Sequence, residues 1–115
     1  MKKDDLIYVE HIYERIIKIQ NSMMDVSMDA FIKNEEKRLA IERHFEVMGE
    51  ATTRISSDFK QKHPEVVWRN INSLRNFLIH DYEEVDIQII WDTIQNDLPV
   101  LKPQIEKLLN SENQV

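Results

Sequence analysis

Apolar residues recur at three- and four-residue steps along almost the whole chain, and strand-like alternation between turn dipeptides is missing. That pattern predicts an all-α protein. Leu6, Val9, Ile12, Tyr13, Ile16 and Ile19 draw one stripe along a first helix over 4–22, which Asn21, Ser22 and Asp25 bring to an end. Ser27 is placed to cap a short turn holding Met28, Ala30 and Phe31. Ile41, Phe45, Met48, Thr52, Ile55 and Phe59 follow in four-three spacing, the seam of an antiparallel bundle, and predict a central helix over 34–62. His63-Pro64 stops it, because the residue before a proline is pushed out of the helical region. A third helix is expected from Trp68 to His80 or Tyr82. Asp86 is placed to cap a fourth, in which Ile87, Ile90, Trp91, Ile94, Leu98, Leu101, Ile105 and Leu108 form a stripe through about residue 110. Pro99 should break that helix around Asp97 to Pro99. The expected architecture is an antiparallel four- or five-helix up-and-down bundle, one domain over 1–110, with 111–115 a frayed tail.

Composition adjusts this picture at three points. The 115 residues, 42% apolar, suit a single modest core. The lone glycine, Gly49, sits mid-helix, where it costs about 1 kcal/mol relative to alanine; either it is tolerated, or a close helix crossing or a dimer contact requires the missing side chain. The absence of cysteine removes disulfide and thiolate chemistry and is compatible with a reducing cytoplasm, the expected location. No apolar run has the length of a signal peptide core or a membrane span, so no membrane association is expected.

A net charge of −6 argues against a broad basic surface that coats nucleic acid. The window 51–80, however, holds five bases (Arg54, Lys60, Lys62, Arg69, Arg75) against two acids (Asp58, Glu65), so it is +3 and the remaining chain is −9. This is either a local cationic site on an acidic body or ordinary solvated helix surface.

The segment Arg75-Asn76-Phe77-Leu78-Ile79-His80-Asp81-Tyr82 gathers an arginine, an amide, a histidine and a tyrosine within about two helical turns. Arginine offers a planar fork of donors suited to phosphate, and histidine is a ready acid or base near neutrality. With Ile71, Leu74, Phe77 and Leu78 facing the core, Arg69, Asn72, Asn76 and His80 fall on the opposite flank, while Arg75 and Tyr82 share another line. An ideal helix separates Arg75 from His80 by roughly 140°, so one helix does not aim both at a small target. The reach of Arg75, a distorted helix end, or a second copy related by a two-fold axis would each remedy this. Spacing alone favours a plainer assignment, with His80 capping the helix end, Arg75 pairing with acids and Tyr82 packing. Other chemistries find no support. No His of the chain has a Glu three residues before it, as a di-iron bundle requires, and there is no zinc spacing, glycine-rich phosphate loop or nucleophile elbow, so no metal or cofactor is expected. Trp68 and Trp91 read as core or interface anchors.

Arg75, His80 and Tyr82 match the Arg-x4-His-x-Tyr hallmark of the HepT-like toxins of the HEPN superfamily, which the chain resembles over nearly its whole length. The similarity extends to Glu46-Val47-Met48-Gly49-Glu50-Ala51, to His63 through Ile71, and to Val85-Asp86, Trp91 and Asp97-Leu98-Pro99; Ser73 stands where a glycine would be expected. The resemblance implies a homodimeric, HEPN-like helical bundle acting as a metal-independent endoribonuclease on RNA. Arg75 and His80 would carry catalysis with Asn76 supporting them; Arg69 and Asn72, which share the flank of Asn76 and His80, are candidate RNA contacts. It also implies a nucleotidyltransferase antitoxin as partner, which neutralises the toxin by adenylylating Tyr82. The alternative from a different class is a non-catalytic helical dimer whose motif binds a nucleotide or a nucleotidyltransferase.

Overall fold

The computed structural model describes residues 2–76 and 86–113, and every described element is helical. Helix α1 spans Lys2–Met23 and buries Val9, Ile12, Ile16 and Ile19 completely, as the stripe predicts. Asp25, in the left-handed region at φ 61°, turns the chain out of it, and Asp is among the few non-glycine residues that visit that region readily. Ser27 caps α2 (Met28–Lys33), its hydroxyl accepting from the Ala30 N–H, and Asn34 caps α3 (Glu35–Thr53) in the same way through Lys37. Helix α3 packs along α1, and Ile41, Phe45 and Met48 fill the space between them.

The predicted 34–62 helix is two helices. Arg54 to Ser56 interrupt it, and α4 (Ser57–Lys62) starts afresh from Ser56, whose hydroxyl accepts from the Phe59 N–H. What fixes the break comes from the other end of the chain. The Asp5 carboxylate, only 4% exposed, accepts from both the Ser56 N–H and its hydroxyl at 2.8 Å. A cap that is itself held by a buried carboxylate offsets the lost helical bonds.

Beyond His63-Pro64, α5 (Trp68–Asn72) tightens into a 3-10 turn over Ser73–Arg75. Helix α6 is described over Asp86–Asp92, and the expected capping by Asp86 lies at the edge of the described residues. The expected break at Asp97–Pro99 is instead a π-helical turn over Thr93–Asp97 that runs without interruption into α7 (Leu98–Asn113). The Leu98 N–H reaches back five residues to the Thr93 carbonyl. This wider turn lies just ahead of Pro99, whose ring would otherwise clash one turn back.

Helix α7 also continues through Asn113, three residues into the segment read as a frayed tail. The Glu112 side chain, 2% exposed, meets His63 Nε2 at 2.6 Å and Lys62 Nζ at 3.1 Å, tying the last turn to the end of α4. No helix among the described residues is long and apolar enough to cross a membrane.

One buried-side histidine departs from its expected pairing. His44 reads in the sequence as a surface partner of Glu46, but Glu46 pairs with Arg43 at 2.6 Å, and His44 Nδ1 faces Arg15 of α1 at 3.2 Å. Partial burial, then the charges of Arg15 and Lys18, hold the imidazole pKa below its ordinary 6.5. The unfolded chain therefore takes up a proton near pH 6.5 that the folded chain resists, so this contribution to stability is full above 6.5 and is lost as pH falls. A urea midpoint that declines from about pH 7 to about pH 5, with part of the decline removed by His44→Gln, is the expected result. An identical pH profile in that variant refutes the assignment.

Candidate functional site

The site residues that the structure describes follow from how α5 is anchored. Trp68 is buried at its start, with the indole Nε1 donating to the His63 carbonyl at 3.1 Å and the ring edge-on to Phe59. Ile71 and Leu74 bury the core face. At Ser73 the hydroxyl donates to the Asn70 carbonyl at 2.7 Å, and the helix tightens. A 3-10 turn advances each residue about 20° further round the axis than an α-helix does. The helix is thus locally distorted at Arg75, while His80, which the distortion would have to bring nearer, lies outside the described residues.

The Arg75 stem lies across α3. A Cβ added at Gly49 would overlap Arg75 Cγ, and would lie 2.9 Å from Cδ and 3.1 Å from the Asn72 carbonyl oxygen. The guanidinium then meets the next residue of α3, with Nε 3.5 Å from the Glu50 carboxylate; the two side chains are 44% and 50% exposed. The arginine side chain is 44% exposed, so its planar set of donors is accessible to a phosphate. The sequence marks Glu50 only by its place in the Glu46–Ala51 segment. The only signal there was its neighbour, a glycine in mid-helix.

Asn76 takes the other side. It lines a cleft of about 650 Å³ between α5 and the α6–α7 rod, together with Asn70, Ser73, Thr93, Asp97 and Gln104 and the exposed apolar side chains of Val67, Ile89 and Val100. Arg75 and Asn76, adjacent in sequence, are therefore directed to different faces of the 3-10 turn. Arg69 and Asn72 are both exposed. His80 and Tyr82, along with Phe77 and Leu78 of the expected core stripe, lie outside the described residues.

Around Glu50 the surface continues as a shallow groove between α1 and α3, walled by Tyr8, His11, Arg43 and Arg54. His11 stands edge-on to Tyr8 at 5.8 Å. Among the described residues no group of three or more His, Asp or Glu is gathered as metal ligands would be.

A family model described as "Ribonuclease HepT-like" matches residues 9–108, which takes in α1 from Val9, all of α2 to α6 and most of α7. The chain is 37% identical over 108 residues to the "Probable ribonuclease HepT" of Thermococcus cleftensis, an alignment covering 94% of this chain and 98% of that protein. It is 33% identical over 105 residues to a "Putative RNase" of Caldanaerobacter subterraneus subsp. tengcongensis, covering 91% and 94% of the two chains. A "Putative RNase" of Methanocaldococcus jannaschii is likewise 33% identical over 105 residues, covering 91% and 96%. No solved structure gives a significant match. With an all-helical fold, the Arg-x4-His-x-Tyr motif inside the matched span and relatives aligned over nearly their full lengths, this chain belongs to the HepT-like ribonuclease family.

Proposed function

We propose that the chain is the toxin of a toxin–antitoxin pair, that it cuts RNA without a metal through Arg75 and His80, and that adenylylation of Tyr82 by a nucleotidyltransferase partner silences it. The observation that carries the reading is Arg75: a half-exposed guanidinium beside Glu50, within the motif of a HepT-like ribonuclease. The ribonuclease names of the relatives support the same class of substrate.

Charge develops on the non-bridging phosphate oxygens when a ribose 2′-oxygen attacks the adjacent phosphorus. Arg75 is suited to bind those oxygens. His80 takes the 2′-hydroxyl proton or supplies one to the departing 5′-oxygen, each a task for a group that titrates near neutrality. The bond from phosphorus to the 2′-oxygen forms as that to the 5′-oxygen breaks, leaving a 2′,3′-cyclic phosphate and a 5′-hydroxyl. Two-fold pairing of the chain places a second motif opposite the first, so that a shared cleft holds two sets of Arg75, Asn76 and His80. Asn76 then orients the imidazole or the phosphate, and Arg69 and Asn72 contact flanking RNA. The site operates in the cytoplasm, where both RNA and the antitoxin are found.

Purified protein in excess EDTA is expected to cleave a mixed-sequence RNA, leaving ends that are resistant to 3′ ligation until the cyclic phosphate is opened and the phosphate removed, and that accept a 5′ phosphate directly. Cleavage that begins only when a divalent ion is added sinks the metal-free part of the proposal. A wild-type protein that cuts no RNA and whose expression is harmless sinks the whole of it.

A further inference from the structure

We propose that Gly49 is a positioning residue for Arg75: its missing side chain is the space in which the arginine stem lies, and any Cβ there redirects the guanidinium. The inference rests on the ribonuclease reading for its catalytic meaning, while its steric basis stands on the packing alone.

Gly49 sits inside α3 with ordinary helical backbone, so no left-handed conformation calls for glycine. On helix propensity alone, alanine would be the better residue. Nor is a second chain needed to explain it. Gly49 is buried within the single chain, and the volume a side chain would take is already filled by Arg75 Cγ and Cδ, with the Asn72 carbonyl behind them. Those carbons are the middle of the arginine side chain, not its flexible tip. They cannot yield by a small adjustment of the last torsion, and a Cβ at position 49 forces a change at χ1 or χ2 that swings the guanidinium off Glu50. The Asn72 carbonyl, at 3.1 Å, limits how far the turn can recoil instead. Gly49 and Glu50 thus act in succession on one side chain: the first admits the stem, the second fixes the head.

The test is a double-mutant cycle on the full chain with G49A, R75A and the double variant, read by single-turnover cleavage of a labelled RNA, by thermal unfolding, and by the Arg75 Nε–H resonance. G49A should keep its helicity, with a Tm equal to or above that of the wild type, and should shift the Nε–H resonance. Its kcat should fall about 10- to 100-fold, with KM changed by less than about threefold, because the group is displaced and not removed. In the R75A background the same substitution should have no further effect on cleavage and should raise Tm by a few degrees, since the obstructed side chain is gone.

G49A cutting as fast as the wild type, or costing the same factor whether or not Arg75 is present, overturns the proposal. The first outcome means that the stem is accommodated elsewhere. The second means that the glycine serves the fold and not the arginine. A wild-type protein that does not cut RNA overturns the ribonuclease reading and the catalytic meaning of Gly49 with it, and is told apart because the G49A resonance shift would still appear.

Discussion

Arg75→Ala is expected to lower RNA cleavage by about 10²–10³-fold, the usual cost of removing one donor aimed at developing oxyanion charge, while leaving the helical fold in place. The fold is spared for reasons visible in the packing. Arg75 is 44% exposed, its ion pair with Glu50 is 3.5 Å long and lies at the surface, and such a pair contributes at most about 1 kcal/mol. The residues that anchor the turn, Trp68, Ile71 and Leu74, are buried and independent of it. Arg75→Lys should recover only part of the activity, because a lysine keeps the charge and loses the planar fork. Single-turnover cleavage beside circular dichroism and urea unfolding separates the two effects. An Arg75→Ala protein that is stably folded and cuts at the wild-type rate would remove the central residue of the proposed site.

How much of this was legible in the sequence depends on how local each determinant is. The α1 stripe and the cap at Ser27 are encoded within a few residues of themselves, so periodicity and capping chemistry reveal them. The break at Ser56 is different. Ser56-Ser57-Asp58 looks like a tolerable stretch of a long helix until Asp5, far away in sequence, arrives to hold the serine. Pro99 announced a disturbance but not its form, since a break and a π turn both relieve the same clash and only packing on the core selects between them. At the site, the sequence supplied the awkward angle between Arg75 and His80 and the unexplained Gly49 as separate puzzles. The packing answers the second, because the arginine stem carried by the 3-10 turn lies across Gly49, while the angle to His80 falls outside the described residues. Neither the turn nor Glu50 as partner could be read from helical spacing, because each arises from α3 and α5 lying against one another.

Tyr82→Phe should leave RNA cleavage within a few-fold of wild type and abolish control by the antitoxin. In the proposed scheme the phenolic oxygen attacks the α-phosphorus of ATP, a phosphodiester forms, pyrophosphate departs and the phenolic proton passes to base. A bulky ester with a negative charge then stands two residues beyond His80. Set against the Arg75 guanidinium, it satisfies with a tethered phosphate the same donors that a substrate phosphate requires, and repels the RNA backbone besides. The control is therefore competitive in chemistry although covalent in form, and it needs the same half-exposed guanidinium that cleavage needs. Co-expression of either form with a neighbouring nucleotidyltransferase, followed by intact-mass measurement and growth assay, reads both arms. Wild-type protein should gain adenylyl-sized increments as growth arrest is relieved, and Tyr82→Phe should gain none and keep arresting growth. Increments that persist in Tyr82→Phe would move the modification to another residue, and relief of arrest without any increment would make the antitoxin a binding inhibitor instead.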